Sequence, residues 1–243
     1  MSDTTKRPTV DIFIRTYDAD LKWLAYSLQS IHKFCNGFRN IIIVIPESQK
    51  HMLEGFDLTQ EKVFGCPDYK DDYLGQQITK ICADQYSDAD YIMYGDSDTL
   101  ITQLLKPEYI FREDKPVILK TSYEKLGNAV PWKAITERAL GFDVQFEFMR
   151  RHPFLYRSST LKAFKEYIKQ LHGKEITEYV MEQPNRGFSE FNAIGAFADK
   201  FEHDKYYFQN TETEPLPPLY VRQYFSWGGI TDEILSEMQN ILK

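Results

Sequence analysis

Tyr91-Ile92-Met93-Tyr94-Gly95-Asp96-Ser97-Asp98-Thr99-Leu100-Ile101 runs a mostly apolar stretch straight into two carboxylates one residue apart. Preceded by the turn-like Ser87-Asp88-Ala89-Asp90, the apolar run reads as a buried strand of a parallel sheet. Open α/β sheets bind ligands at the carboxyl ends of their strands, so Asp96 and Asp98 are expected where a ligand sits. Carboxylates at i and i+2 on a chain leaving a strand can both turn toward one hard cation, and Mg²⁺ or Mn²⁺ suits oxygen ligands and phosphates. The same residues also suit an ordinary polar turn, so the flanking chain has to decide between the two readings.

Working outward, Met1 to Pro8 reads as a loose arm, and Val10 to Ile14 as a first strand running into the polar Arg15-Thr16-Tyr17-Asp18-Ala19-Asp20. Asp20 suits the N-cap of a helix in which Leu21, Leu24, Leu28, Ile31 and Cys35 recur at helical spacing before Asn36-Gly37. Ile41 to Ile45 is an unbroken β-branched run closed by Pro46, a second buried strand. Ser48 to Leu53 reads as a short helix and Lys62 to Phe64 as a third strand. A helix opening at Gly75, with Gln77, Lys80 and Asp84 on one face, leads into the Asp96 strand. Strand and helix alternation predicts an α/β fold with a doubly wound, mainly parallel sheet flanked by helices, and the loops after the first and fourth strands facing each other across a crevice.

Past Pro107 the pattern is mixed. Strands are expected at Pro116–Lys120, Val144–Phe148, Phe154–Arg157, Lys205–Phe208 and Leu219–Phe225. Helices are expected at Trp132–Leu140, stopped by Gly141; after Ser159, stopped by Gly173; at Glu175–Gln183; after Ser189; and after Thr231. The expected organisation is one domain, with a ligand-binding half over 9–105 and a mixed half over 106–243.

The chain has 243 residues, enough to bury a full core. Its net charge of −7 argues against a general nucleic-acid binder. No apolar stretch approaches the ~18 residues of a membrane span, and the polar N-terminus has no apolar signal core. Cys35, Cys66 and Cys82 are three in number and show no metal spacing, so reduced thiols and a cytoplasmic location are expected, the host cytoplasm if the chain is viral. Aromatic residues make up 15%, a surplus that suits a cleft for sugars or nucleobases.

A first strand ending in Arg15-Thr16-Tyr17, a helix carrying Gln76-Gln77-x-x-Lys80, and a strand ending in Asp96-Ser97-Asp98 together resemble the GT-A glycosyltransferases, and most of all a group of small GT-A-like proteins found in bacterial and viral genomes. The later Phe188-Ser189-Glu190-Phe191, with Gly195 in the same helix, is similar to that group as well. The resemblance covers the first half of the chain well and the second half weakly. It implies a metal-dependent transferase that moves a sugar from a nucleotide diphosphate sugar, with UDP the favoured carrier, to a glycan or other hydroxyl acceptor.

By the same resemblance Asp98 holds Mn²⁺ or Mg²⁺ directly and Asp96 reaches ribose or metal through water. Thr16 and Tyr17 contact base and ribose, and Gln77 and Lys80 the nucleotide or donor sugar. An inverting transferase needs a carboxylate to take the acceptor proton. Glu190, in the first turn of its helix, is the candidate, with Asp143 and Asp232 as alternatives. His203, or a residue near Ser226-Trp227-Gly228-Gly229, is a candidate third metal ligand, and Trp132, His152 and Trp227 are candidates for the sugar or acceptor cleft. Each also has an ordinary reading: capping glutamate, surface amide or lysine, core tryptophan.

Two rival functions use the same residues. Haloacid-dehalogenase-type phosphotransferases carry Asp-x-Asp-x-Thr/Val after an apolar strand, the first Asp acting as nucleophile. Here Thr99 stands one place early and three strands precede the motif. A catalytically inactive GT-A-like domain would bind nucleotide or glycan without turnover.

Overall fold

The computed structural model describes residues 8–127 and 130–243, so all of the expected N-terminal arm but Pro8 lies outside the described residues. Its central sheet has the order β3-β2-β1-β4-β9. The strands are β1 (Val10–Arg15), β2 (Ile41–Pro46), β3 (Glu61–Cys66), β4 (Tyr91–Asp96) and, from the second half of the chain, β9 (Phe154–Arg157). The first four pair in parallel and β9 runs antiparallel to β4. Between them in the chain come β5 (Thr99–Ile101), β6 (Phe111–Arg112), β7 (Lys115–Ser122) and β8 (Phe146–Glu147), and after them β10 (Tyr207–Asn210) and β11 (Val221–Gln223). A second sheet is built from β10, β7 and β6, with β8 on β7, and a two-stranded ribbon from β11 and β5.

Both faces of the central sheet are buried, which is why its strands read as continuous apolar runs. Side chains alternate between the faces. Ile12 and Ile14 pack with Ile43, Ile45 and Met93 on one side; Phe13 packs with Ile42, Val44, Ile92 and Tyr94 on the other. Helix α1 (Leu21–Phe34) covers the first face through Leu24, Leu28 and Ile31. Helix α2 (Asp72–Ile81) covers the second through Leu74, Ile78 and Ile81. Each fully buried Ile, Leu or Phe contributes about 1.5–3 kcal/mol by leaving water. Helices on opposite faces of a parallel sheet make the doubly wound arrangement, and the strand order reverses between β1 and β4.

The second half is not a separate layer. Helices α4 (Ser158–His172), α5 (Ile176–Met181) and α6 (Glu190–Phe201) share the α2 face of the core, and α3 (Val130–Leu140) packs there through Ala139 and Leu140. Helix α7 (Asp232–Leu242) returns to the α1 side, where Met238 meets Trp23, Leu100 and Tyr224. No helix among the described residues is long and apolar enough to cross a membrane.

Helices α3 and α4 stop at Gly141 and Gly173, both at left-handed φ (+70° and +68°), a conformation that disfavours any residue with a Cβ. Other boundaries shift for local reasons. The short helix after β2 is a 3₁₀ helix over Glu47–Leu53. Helix α2 begins at Asp72 rather than Gly75, because the Asp71 carboxylate accepts the Leu74 N–H and caps it. Helix α4 begins one residue before the expected cap, since Ser158 Oγ bonds the Ala89 carbonyl at 2.5 Å and Ser159 is already helical.

Candidate functional site

The reversal of strand order sets the site. Arg15 and Asp96 are register partners at the carboxyl ends of β1 and β4. By strand alternation both follow Phe13 and Tyr94 onto the α2 face. There Arg15 makes a forked ion pair with Asp72, Nη1 to Oδ2 at 2.8 Å and Nη2 to Oδ1, and Lys80 Nζ lies 2.8 Å from Asp96 Oδ1. The cleft above them has a volume of ≈ 470 Å³ and is bounded by Tyr17, Asp20, Gln77, Asp98, Glu190 and Trp227 among others.

A chain of charges crosses its floor. Lys80 is 4% exposed and reaches Glu190 Oε1 at 3.2 Å as well as Asp96. On the other side of Asp96, His152 Nε2 lies 3.3 Å from Oδ2. The antiparallel register of β9, Tyr94 opposite Phe154, carries on two residues to set His152 against Asp96. Gln77 Oε1 accepts the Glu190 N–H at 3.2 Å, so a side chain of α2 satisfies one of the free amides at the start of α6. Burial alone would raise the Asp96 pKa, but Lys80 and His152 outweigh it and hold the carboxyl far below the ordinary range. Burial would lower Lys80, and Asp96 with Glu190 outweigh that and raise it.

Asp98 differs. Burial and the nearby Asp96 raise its pKa, and its Oδ2 accepts a neutral donor, the Ser226 N–H at 2.8 Å. Asp20 stands at the N-cap of α1 but makes no capping bond; it faces the cleft instead, and burial, reinforced by Asp98 and Asp96, pushes it up to about 6. Asp20 and Asp98, each raised by burial and by a neighbouring carboxylate, are oxygen donors suited to Mg²⁺ or Mn²⁺. Among the described residues no three His, Cys, Asp or Glu side chains gather to hold a metal by themselves. A cation that arrives with a diphosphate needs only one or two protein carboxylates, so the donor set fits that use.

The structure brings Tyr17, Gln77, Lys80, Asp96, Asp98, His152, Glu190 and Trp227 to one cleft. It takes three expected residues away. Thr16 extends the β1 ladder, its N–H donating to the Val44 carbonyl at 2.9 Å, so its side chain falls on the α1 face, fully buried. His203 follows the far end of α6, about 18 Å of helix from Glu190. There it bonds Asp199 at 2.9 Å and stacks on Phe208. Trp132 packs against the core from α3. Asp143 and Asp232 are also outside the cleft. Arg15, Asp20 and Arg150 line it without having been singled out as site residues, and Ser226, from the late stretch named for a third ligand, lines it too. For Arg15 the signal was present, a charged residue at the end of an apolar strand.

No family model matches the chain, and no curated protein is significantly similar to it.

Proposed function

We propose that the protein is a metal-dependent glycosyltransferase of GT-A type, moving a sugar from a nucleotide diphosphate sugar, UDP favoured, to a hydroxyl of a glycan or other acceptor with inversion. The observation that carries this reading is the meeting in one cleft of Asp98, at the strand-order reversal where α/β sheets bind nucleotides, and Glu190 at the start of α6. Asp98, ion-paired to no cationic side chain among the described residues, is the residue that would hold Mn²⁺ or Mg²⁺. Such a cation supplies charge stabilisation for the diphosphate leaving group.

The chain's own residues do the rest. Asp96, fixed between Lys80 and His152, keeps the end of β4 rigid and faces ribose. Tyr17 and Trp227 offer aromatic surface to the base and sugar. Glu190 takes the proton of the acceptor hydroxyl; Lys80 holds its carboxylate, and Gln77 holds the backbone at the start of its helix. The three cysteines are unpaired thiols, in keeping with a cytoplasmic location.

A second reading, an inactive nucleotide- or glycan-binding protein, draws on the ion pair that ties Glu190 to Lys80. A phosphotransferase with Asp96 as nucleophile is disfavoured, since both its oxygens face cationic or hydrogen-bonding groups. A thermal-shift panel of nucleotide sugars with and without Mn²⁺ tests all three. A Mn²⁺-dependent shift with UDP-sugars is expected, and released UDP separates the transferase from the inactive binder. No shift, together with phosphatase turnover, would overturn the proposal.

A further inference from the structure

The cleft lies at the carboxyl ends of the parallel strands, and a second cavity, of ≈ 490 Å³, opens at their amino ends. One wall is a face of α1, where Ala25, Leu28, Gln29 and His32 recur at helical spacing. The other is the segment 55–61, which enters the edge strand β3 at Glu61. The six residues of β3 put about 17 Å between the two ends of the sheet. The two cavities share no lining residue.

Glu61 is the register partner of Ile41, and both side chains turn to the α1 face. There the Glu61 side chain is fully buried. Its Oε1 lies 2.5 Å from His32 Nε2, while Oε2 has no hydrogen-bond partner. A buried carboxylate oxygen without a donor is costly, and a ligand that supplies a donor removes that penalty. Asp57, exposed at the rim, adds a second carboxylate, which accepts the Thr59 hydroxyl at 3.1 Å. Among the described residues no Lys or Arg lines the cavity. It is a seat for positive charge, of the size of a small-molecule site. Among the described residues no three His, Cys, Asp or Glu side chains gather there to grip a bare metal ion. Leu28 and Phe56 instead offer apolar surface to a carbon skeleton, and the exposed Gln29 and Gln60 offer amides to its polar groups.

We propose that this cavity binds a small organic cation through a primary ammonium. The ammonium donates one hydrogen to Glu61 Oε2 and has two more for the carboxylate or amide oxygens of the rim. His32, whose side chain is 35% exposed, is the member of the pair that turns aside as the ligand enters. The carboxylates select the ammonium, and the apolar wall selects a body of methylene or ring carbons over a hydrated metal ion. A short diamine and an amino sugar both carry these features. The inference stands apart from the proposed transfer, because it uses no residue of the cleft.

The test is calorimetric titration of the intact protein with putrescine and with glucosamine, each against its uncharged counterpart, butanediol and glucose, and with Mg²⁺ alone. At least one ammonium probe is expected to bind saturably and at least tenfold tighter than its counterpart, and the probe that binds identifies the source. Glu61→Gln, which keeps an acceptor for His32, should weaken that binding at least tenfold. Ala25→Leu, which narrows the cavity and leaves its charges, should weaken it several-fold, and Asp98→Ala, which alters only the cleft, should leave it unchanged. Circular dichroism checks that the variants fold. Binding of neither ammonium probe, equal binding of the uncharged counterparts, or binding of Mg²⁺ alone overturns the proposal. So does undiminished binding in folded Glu61→Gln or, if that variant does not fold, in Ala25→Leu. Binding lost in folded Asp98→Ala would place the cation in the cleft and overturn the proposal too.

Discussion

Lys80 Nζ lies 3.2 Å from Glu190 Oε1 although 110 residues of chain separate them, and the same ammonium lies 2.8 Å from Asp96 Oδ1. One buried lysine on α2 thus ties the end of β4 to the start of α6. It joins the donor side of the cleft to the residue proposed as base. Removing one partner of a buried ion pair leaves uncompensated charge, which costs about 3–5 kcal/mol. Lys80→Met should lower unfolding free energy by about that much in denaturant titrations. A loss below about 1 kcal/mol, the range of surface pairs, would show that water screens the cluster.

The same cluster sets a pH dependence. Asp96 is held below its unfolded value, so its stabilising effect is present above pH ~4 and is lost as the pH falls through the folded value. Lys80 is raised, so its contribution is present below pH ~10.4 and is lost as the pH climbs through its higher folded value. Denaturant unfolding across this range should show a plateau at neutral pH and a falling acid limb. Asp96→Asn should flatten that limb; an unchanged slope below pH ~4 would assign acid unfolding to other carboxylates.

Asp20 works in the opposite sense. Its folded pKa is pushed up to about 6, so the destabilisation sets in above the unfolded value near pH ~4 and is complete above pH 6. The group is only half-buried, and screening trims the effect to about 1 kcal/mol. Asp20→Asn should therefore raise the melting temperature at pH 8 and leave it unchanged at pH 3.5. Equal gains at both pH values would rule out a charge effect.

Asp98 and Glu190 should separate binding from transfer. Asp98→Ala is expected to remove both Mn²⁺-dependent UDP binding and UDP release from donor. Glu190→Gln keeps a hydrogen-bond acceptor for Lys80 and should bind donor normally while slowing transfer by about 10²–10⁴-fold, the usual contribution of a general base. Transfer at the unaltered rate in Glu190→Gln would move the search for the base elsewhere.

Gly195 tests the packing behind the site. A methyl group there would stand 2.6 Å from Phe148 Cγ and overlap its Cβ as well. Phe148 is 2% exposed and its N–H donates to Asn192 Oδ1 at 2.8 Å, so it has little room to yield. Gly195→Ala should destabilise by about 1–3 kcal/mol despite improving helix propensity. A gain in stability would mean that α6 can slide away from β8.

By itself the sequence determined what short-range physics controls. Ile41–Ile45 can only be a doubly buried strand, Gly141 and Gly173 stop helices, and the apolar run into Asp96-Ser97-Asp98 puts carboxylates at a strand's carboxyl end. These follow from side-chain shape and a hydrophobic period within a few residues. Tertiary structure alone decided what each charged group meets. Strand parity sends Thr16 to the α1 face while Arg15 reaches α2, and the antiparallel entry of β9 sets His152 against Asp96. The length of α6 carries His203 away from the cleft that Glu190 lines, and a turn 128 residues downstream covers Asp98 but leaves Asp96 to Lys80. The reason is physical: a carboxylate's state depends on which cation or amide stands within about 4 Å, and pairing between distant segments sets that neighbour.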